Sequence, residues 1–148
     1  MYKRILVAVG GPDASLEPAR VAARLARQDG AALTIVSVHR AVSPVLGEPN
    51  YSDIVLPRLG EAKQTLERAR QVVRAEGVEK PELQTIEGAP ADAIIEVANG
   101  GGYDLIVTGT HRRGRLGRAL LGSVSNAVAA RAGRPVLVVP DRLAVGGR

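Results

Sequence analysis

The chain contains no cysteine, no phenylalanine and no tryptophan, and only three tyrosines among its 148 residues. Without cysteine there can be no disulfide, no thiolate metal site and no cysteine nucleophile, a composition compatible with a reducing compartment. Without large aromatic rings the core must be built from Val, Leu, Ile and Ala, which suits strands covered on both faces by helices. The same lack leaves little for nucleic-acid bases to stack on, so single-strand binding is disfavoured. No apolar run approaches the roughly 20 residues a membrane-spanning helix needs. Met1-Tyr2-Lys3-Arg4 runs straight into a strand-like segment, without the layout of a signal peptide. The expectation is a cytoplasmic protein outside the membrane. No Gly-Lys-Ser/Thr occurs, which excludes a Walker A loop. No Gly-x-Ser-x-Gly elbow supports a hydrolase triad. His39 and His111 stand apart from carboxylates at ligand spacing, so no metal site is expected.

At this length one domain is expected, large enough to bury a core without covalent staples. The formal net charge is +5, and much of the excess sits in Arg112, Arg113, Arg115 and Arg118. Such a cluster reads as a solvated basic loop, as a binding element for a phosphate-bearing small molecule or, less readily, as a contact to nucleic acid.

Short apolar runs alternate with helical patterns along the whole chain. Ile5 to Val9 is a β-branched run that ends in Gly10-Gly11-Pro12. Ser15 to Gln28 carries Leu16, Ala19, Ala22, Ala23, Leu25 and Ala26 on one face, with Gly30 just past its end. Ser15 itself reads as a helix N-cap. Leu33 to Val38 is a second strand, followed by an irregular stretch, His39 to Ser52, long enough to be a lid or binding loop. A helix is expected from about Ile54 to Glu76, stopped by Gly77. A short strand from Leu83 to Ile86 precedes a helix from Pro90 to Asn99, with Pro90 in its first position. Asp104 to Gly109 reads as a fourth strand, Arg118 to Arg131 as a helix, and Val136 to Val139 as a fifth strand between Pro135 and Pro140.

This alternation implies an α/β fold: one doubly wound, five-stranded parallel sheet with right-handed crossovers and helices on both faces. Ligands of such sheets bind beyond the carboxyl ends of the strands, where strand order reverses. The first and fourth strands both run into glycine, Gly10 and Gly109. Between Gly109 and Ser125 the chain is rich in Gly, Ser and Arg. Glycines leave backbone amides accessible to phosphate oxygens, Ser123 and Ser125 add hydroxyls, and a helix start near Gly122 adds a positive dipole end.

These residues resemble the universal stress protein family. Its signature, G-x2-G-x9-G-[ST] after the fourth strand, is met by Gly109 and by Gly122 followed by Ser123. Lys3 to Val9, Gly88 to Ile94, Tyr103 to Val107, Leu120 to Ser125 and Arg134 to Pro140 are similar to the family as well. The resemblance implies a Rossmann-type fold and, in ATP-binding members, adenine near the ends of the first two strands, at positions corresponding to Ala8, Gly10 and Val38. Ribose and phosphates would lie on Thr108, Gly109, Arg112, Gly122, Ser123, Val124 and Ser125. ATP or another adenine nucleotide, with a divalent cation, is the implied ligand. Two positions depart from the pattern: Gly10 stands where an acidic residue is usual, and Arg112 replaces the middle glycine. They leave open a member that binds protein partners and no nucleotide; a slow ATPase is a further alternative. The resemblance also implies a homodimer paired through Val136, Leu137, Val138 and Val139.

Overall fold

The computed structural model describes residues 1–10, 14–40, 51–110 and 122–141, with the side chains of 51–56 and 58 left aside. Nine elements alternate: β1 (Arg4–Val9), α1 (Glu17–Asp29), β2 (Ala32–His39), α2 (Tyr51–Ala75), β3 (Glu82–Glu87), α3 (Pro90–Gly101), β4 (Leu105–Gly109), α4 (Ser123–Arg131) and β5 (Val136–Val139). The strands form one parallel sheet in the order β3-β2-β1-β4-β5. After β3 the chain returns across the sheet to the far side of β1, so strand order reverses between β1 and β4. The α/β fold expected from the alternation is the fold observed.

Both sheet faces are covered, as the scarcity of polar residues in the strands requires. Ile5, Val7 and Val9 of β1 join Leu33, Ile35, Leu105 and Val107 against α1 and α2. Leu6 and Ala8 point the other way, with Val36 and Ile106, against Ile94 and Ala98 of α3 and Val128 of α4. Helix α1 meets the sheet through Ala19, Ala22, Ala23 and Ala26, whose small side chains let the helix lie close. It stops at Gly30, whose φ of 67° is the left-handed cap that glycine adopts without strain. Among the described residues no helix is long and apolar enough to cross a membrane.

Several boundaries differ from the sequence expectation, and those nearest the strand ends matter most. The fourth helix begins at Ser123, not near Arg118: Gly122 is extended (φ −70°, ψ 164°) and its amide donates to the Thr110 carbonyl at 3.0 Å. Residues 118–121 lie outside the described residues. The irregular stretch shortens at both ends, because His39 belongs to β2 and Tyr51 opens α2; residues 41–50 lie outside the description. Ser15 does not occupy the N-cap position, which is Leu16. Its hydroxyl still accepts the Glu17 amide at 3.0 Å, and it donates to the Asp141 carbonyl at 2.9 Å.

Candidate functional site

Strand ends build the site. Pairing of β1 with β2 stops at Val9 and Ser37, whereas pairing of β2 with β3 runs on to His39 and Glu87. Strand β2 therefore overhangs β1. The His39 carbonyl accepts the Gly88 amide at 2.9 Å, on the β3 side. Backbone groups alternate along a strand, so the Val38 carbonyl faces the β1 side, beyond the point where β1 has ended. On the other flank, β4 runs through Thr108 to Gly109, and the Thr110 amide is held by the Val139 carbonyl at 3.1 Å.

A cavity of about 400 Å³ opens at this end of the sheet. Its floor is Ala8, Val9 and Gly10 of the β1 end together with Thr108 and Gly109 of β4. Val38 and Arg40 form the β2 side, and Pro90 and Ile94 bring in the start of α3. Ser123 and Val124 add the start of α4; Ala14, Ser15 and Pro18 add the start of α1, beside Asp141. Three helices thus direct their amino ends, with their partial positive charge, at one cavity. In α4 the first backbone amide bonded within the turn is that of Asn126, to the Gly122 carbonyl at 3.0 Å. Helix geometry leaves the amides of Ser123, Val124 and Ser125 without intrahelical acceptors.

Seven of the ten residues named from the sequence line this cavity: Ala8, Gly10, Val38, Thr108, Gly109, Ser123 and Val124. Gly122 caps the helix beside it. Ser125 is buried, and its hydroxyl donates to the Gly122 carbonyl at 3.1 Å, so it braces the turn. Arg112 lies outside the described residues, as do His111, Asp13 and the other loop arginines. Sequence reasoning did not assign Ser15, Arg40, Pro90 or Asp141 to the site. For Pro90 and Arg40 a signal existed, since Arg40 follows directly on the end of β2 and Pro90 stands three residues past the end of β3, strand ends that must share one edge of a parallel sheet.

Among the described residues, the carboxylates whose pKa is shifted lie away from the cavity. At the amino end of β4 the Asp104 carboxylate accepts the amides of Lys3 and Arg4. On the helical face Arg24 bonds Glu76 at 3.0 Å, which holds the Glu76 carboxyl below its usual range. Both arrangements fasten the scaffold rather than the site.

The model of the universal stress protein family matches residues 1–140 of the chain. A universal stress protein of Thermus aquaticus is 40% identical over 139 residues, covering 94% of this chain and 99% of the relative. A solved universal stress protein in complex with cAMP superposes with a TM-score of 0.74 at 29% identity, covering 93% of this chain and 97% of the other. A universal stress protein of Archaeoglobus fulgidus in complex with dAMP superposes at 0.63 with 26% identity, over 93% and 98% of the two chains. The chain belongs to the universal stress protein family.

Proposed function

We propose that the cavity binds an adenine nucleotide, ATP or a related phosphorylated adenosine, and that occupancy is read by partner proteins in a stress response. One observation carries this reading: the carboxyl ends of β1 and β4, parted where strand order reverses, meet the amino end of α4 around a single cavity. Its size suits a nucleotide. The amides of Ser123 and Val124, the Ser123 hydroxyl and the bare backbone of Gly109 fit phosphate oxygens. The outward carbonyl of Val38 fits the amino hydrogens of adenine. Adenine nucleotides in two solved relatives support the choice of base. A divalent cation would draw its oxygens mainly from the phosphates and water, because Asp141 is the one carboxylate in the described lining.

Calorimetric titration with ATP, ADP and AMP, with and without Mg²⁺, tests the proposal. Saturable heat is expected, weakened about five- to tenfold by Ser123→Ala. Absence of heat at high protein concentration would overturn the reading. The competing reading, a member that binds partners without nucleotide, is favoured by Gly10, which leaves β1 without a carboxylate in the cavity wall. Arg112→Gly separates the two: loss of ATP affinity makes Arg112 a phosphate ligand, and gain makes it an obstruction.

We also propose that β5, an edge strand, pairs with β5 of a second copy to form a homodimer.

A further inference from the structure

The cavity wall contains a cation for which the phosphate cradle has no obvious use. Arg40 stands one residue past the end of β2 and lines the cavity together with Val38. Val36 and Val38 pack on the side of the sheet that carries α3 and α4. Side chains two residues apart on a strand share a face, so Arg40 continues their row beyond the sheet's end. It is exposed, and among the described residues no hydrogen bond or ion pair holds it. Asp92, in the first turn of α3, is already bonded by Arg131 at 2.5 Å.

Position along the sheet decides which part of a ligand Arg40 meets. Strand β1 lies between β2 and β4. At about 4.8 Å per strand, the end of β2 stands about 10 Å from the end of β4. A nucleotide with its phosphates on Gly109, Ser123 and Val124 therefore brings its base, not its phosphates, to the β2 side. There it meets two groups of opposite hydrogen-bonding character. The Val38 carbonyl only accepts, and the Arg40 guanidinium only donates. The edge of a 6-aminopurine is their complement, with an amino donor beside a ring-nitrogen acceptor. A 6-oxopurine offers an oxygen in place of the amino group, and that oxygen would oppose the Val38 carbonyl.

We propose that Arg40 is a base-recognising residue: it donates to the ring nitrogen beside the amino group of adenine, while the Val38 carbonyl accepts an amino hydrogen. This assignment rests on the nucleotide reading above and adds a side chain that sets base selectivity. It also gives the β2 overhang a purpose, since the overhang is what carries both groups past the end of β1.

The test titrates the wild-type protein and Arg40→Ala with ATP, with inosine triphosphate and with inorganic tripolyphosphate. In the variant, ATP affinity is expected to fall about tenfold, with tripolyphosphate affinity unchanged within about twofold because the cradle lies about 10 Å away. Wild-type protein is expected to bind inosine triphosphate more weakly than ATP. Equal losses for ATP and tripolyphosphate would show that Arg40 acts as a charge on the phosphates and would overturn the assignment. So would an ATP affinity that ignores the substitution, or wild-type preference for the inosine nucleotide. If wild-type protein binds no nucleotide at all, the nucleotide reading itself fails, a result distinct from any of these. Because Arg40 is exposed and past the strand, an unchanged unfolding temperature is expected to confirm that the variant folds.

Discussion

The Asp104 carboxylate accepts the amide of Lys3 at 2.9 Å and that of Arg4 at 3.1 Å, while its own amide donates to the Arg4 carbonyl at 2.9 Å. Together these bonds align the first residues of β1 with β4. Burial alone would raise the Asp104 pKa, but the backbone amides of Lys3, Arg4 and Asp104 itself, together with the N-terminal charge, outweigh it and hold the carboxyl below its usual range. With the folded value below the unfolded one, of about 3.9, the stabilisation is present above the unfolded value and is lost as pH falls through the folded one. Asp104→Ala is expected to cost about 1 kcal/mol at pH 7, below the usual range for charged hydrogen bonds because the clamp is partly solvated. In urea titrations the gap to wild type should narrow as pH drops below about 4; a gap that stays constant from about pH 7 to about pH 3 would refute the clamp. Arg134 does similar work with the opposite charge. Its guanidinium donates to the carbonyls of Ala98 and Tyr103 at 2.8 Å each and of Ala132 at 3.0 Å, and to the Asn99 side chain. Arg134→Ala should destabilise by about 2–3 kcal/mol, and Arg134→Lys should recover only part of that, since an ammonium lacks the planar fork. Thermal unfolding of both variants checks this. Neither role was legible in the sequence, where Asp104 read as the start of a strand and Arg134 as part of a run similar to the family. The amides that Asp104 accepts lie 101 and 100 residues away along the chain, and the Ala98 and Tyr103 carbonyls lie 36 and 31 residues from Arg134.

At the scale of elements, legibility followed burial. Strands β1, β2 and β4 are nearly continuous apolar runs because helices cover both their faces, and each was placed within two residues. Strand β3, Glu-Leu-Gln-Thr-Ile-Glu, lies at a sheet edge with half its surface open, so its pattern is mixed, and its position in the alternation identified it. The start of α4 was misplaced because Leu120 and Leu121 continue an apolar pattern that backbone geometry interrupts at Gly122. That boundary matters chemically, because it gives the two serines of the motif different tasks. Ser123, first in the helix, is exposed toward the cavity, whereas Ser125 is buried and bonded to Gly122. Ser125→Ala is therefore expected to lower stability by about 1 kcal/mol and leave nucleotide affinity within about twofold of wild type. Ser123→Ala should do the reverse. Paired measurements of unfolding and calorimetric affinity on the two variants check the division, and a Ser125 variant that loses affinity without losing stability would contradict it.

For the whole molecule, the alternation implied the parallel sheet, and the glycines that end the first and fourth strands, Gly10 and Gly109, marked the place where strand order reverses, while the order itself is read from the pairing. Wall residues contributed by separate elements could not be inferred in the same way. Asp141 reaches the cavity only because β5 lies beside β4 and the Ser15 hydroxyl holds its carbonyl from α1. Pairing also leaves β5 with one free edge. The Ile106 amide bonds the Pro135 carbonyl and the Thr110 amide bonds the Val139 carbonyl, both at 3.1 Å. By alternation the backbone groups of Val136 and Val138 face away from β4, where no described strand pairs with them. Leu137 is 37% exposed, an apolar side chain open to solvent on the same strand. If two copies join through this edge, the outward amide of Val138 donates across the interface. Val138→Pro removes that donor without removing a bond to β4, and proline is tolerated on an edge strand whose amide faces outward. Sedimentation should find wild-type protein as a dimer and the variant as a monomer with its sheet intact by circular dichroism. A variant that remains dimeric would place the interface elsewhere, because an antiparallel β5 pair needs the bond at Val138 in both copies.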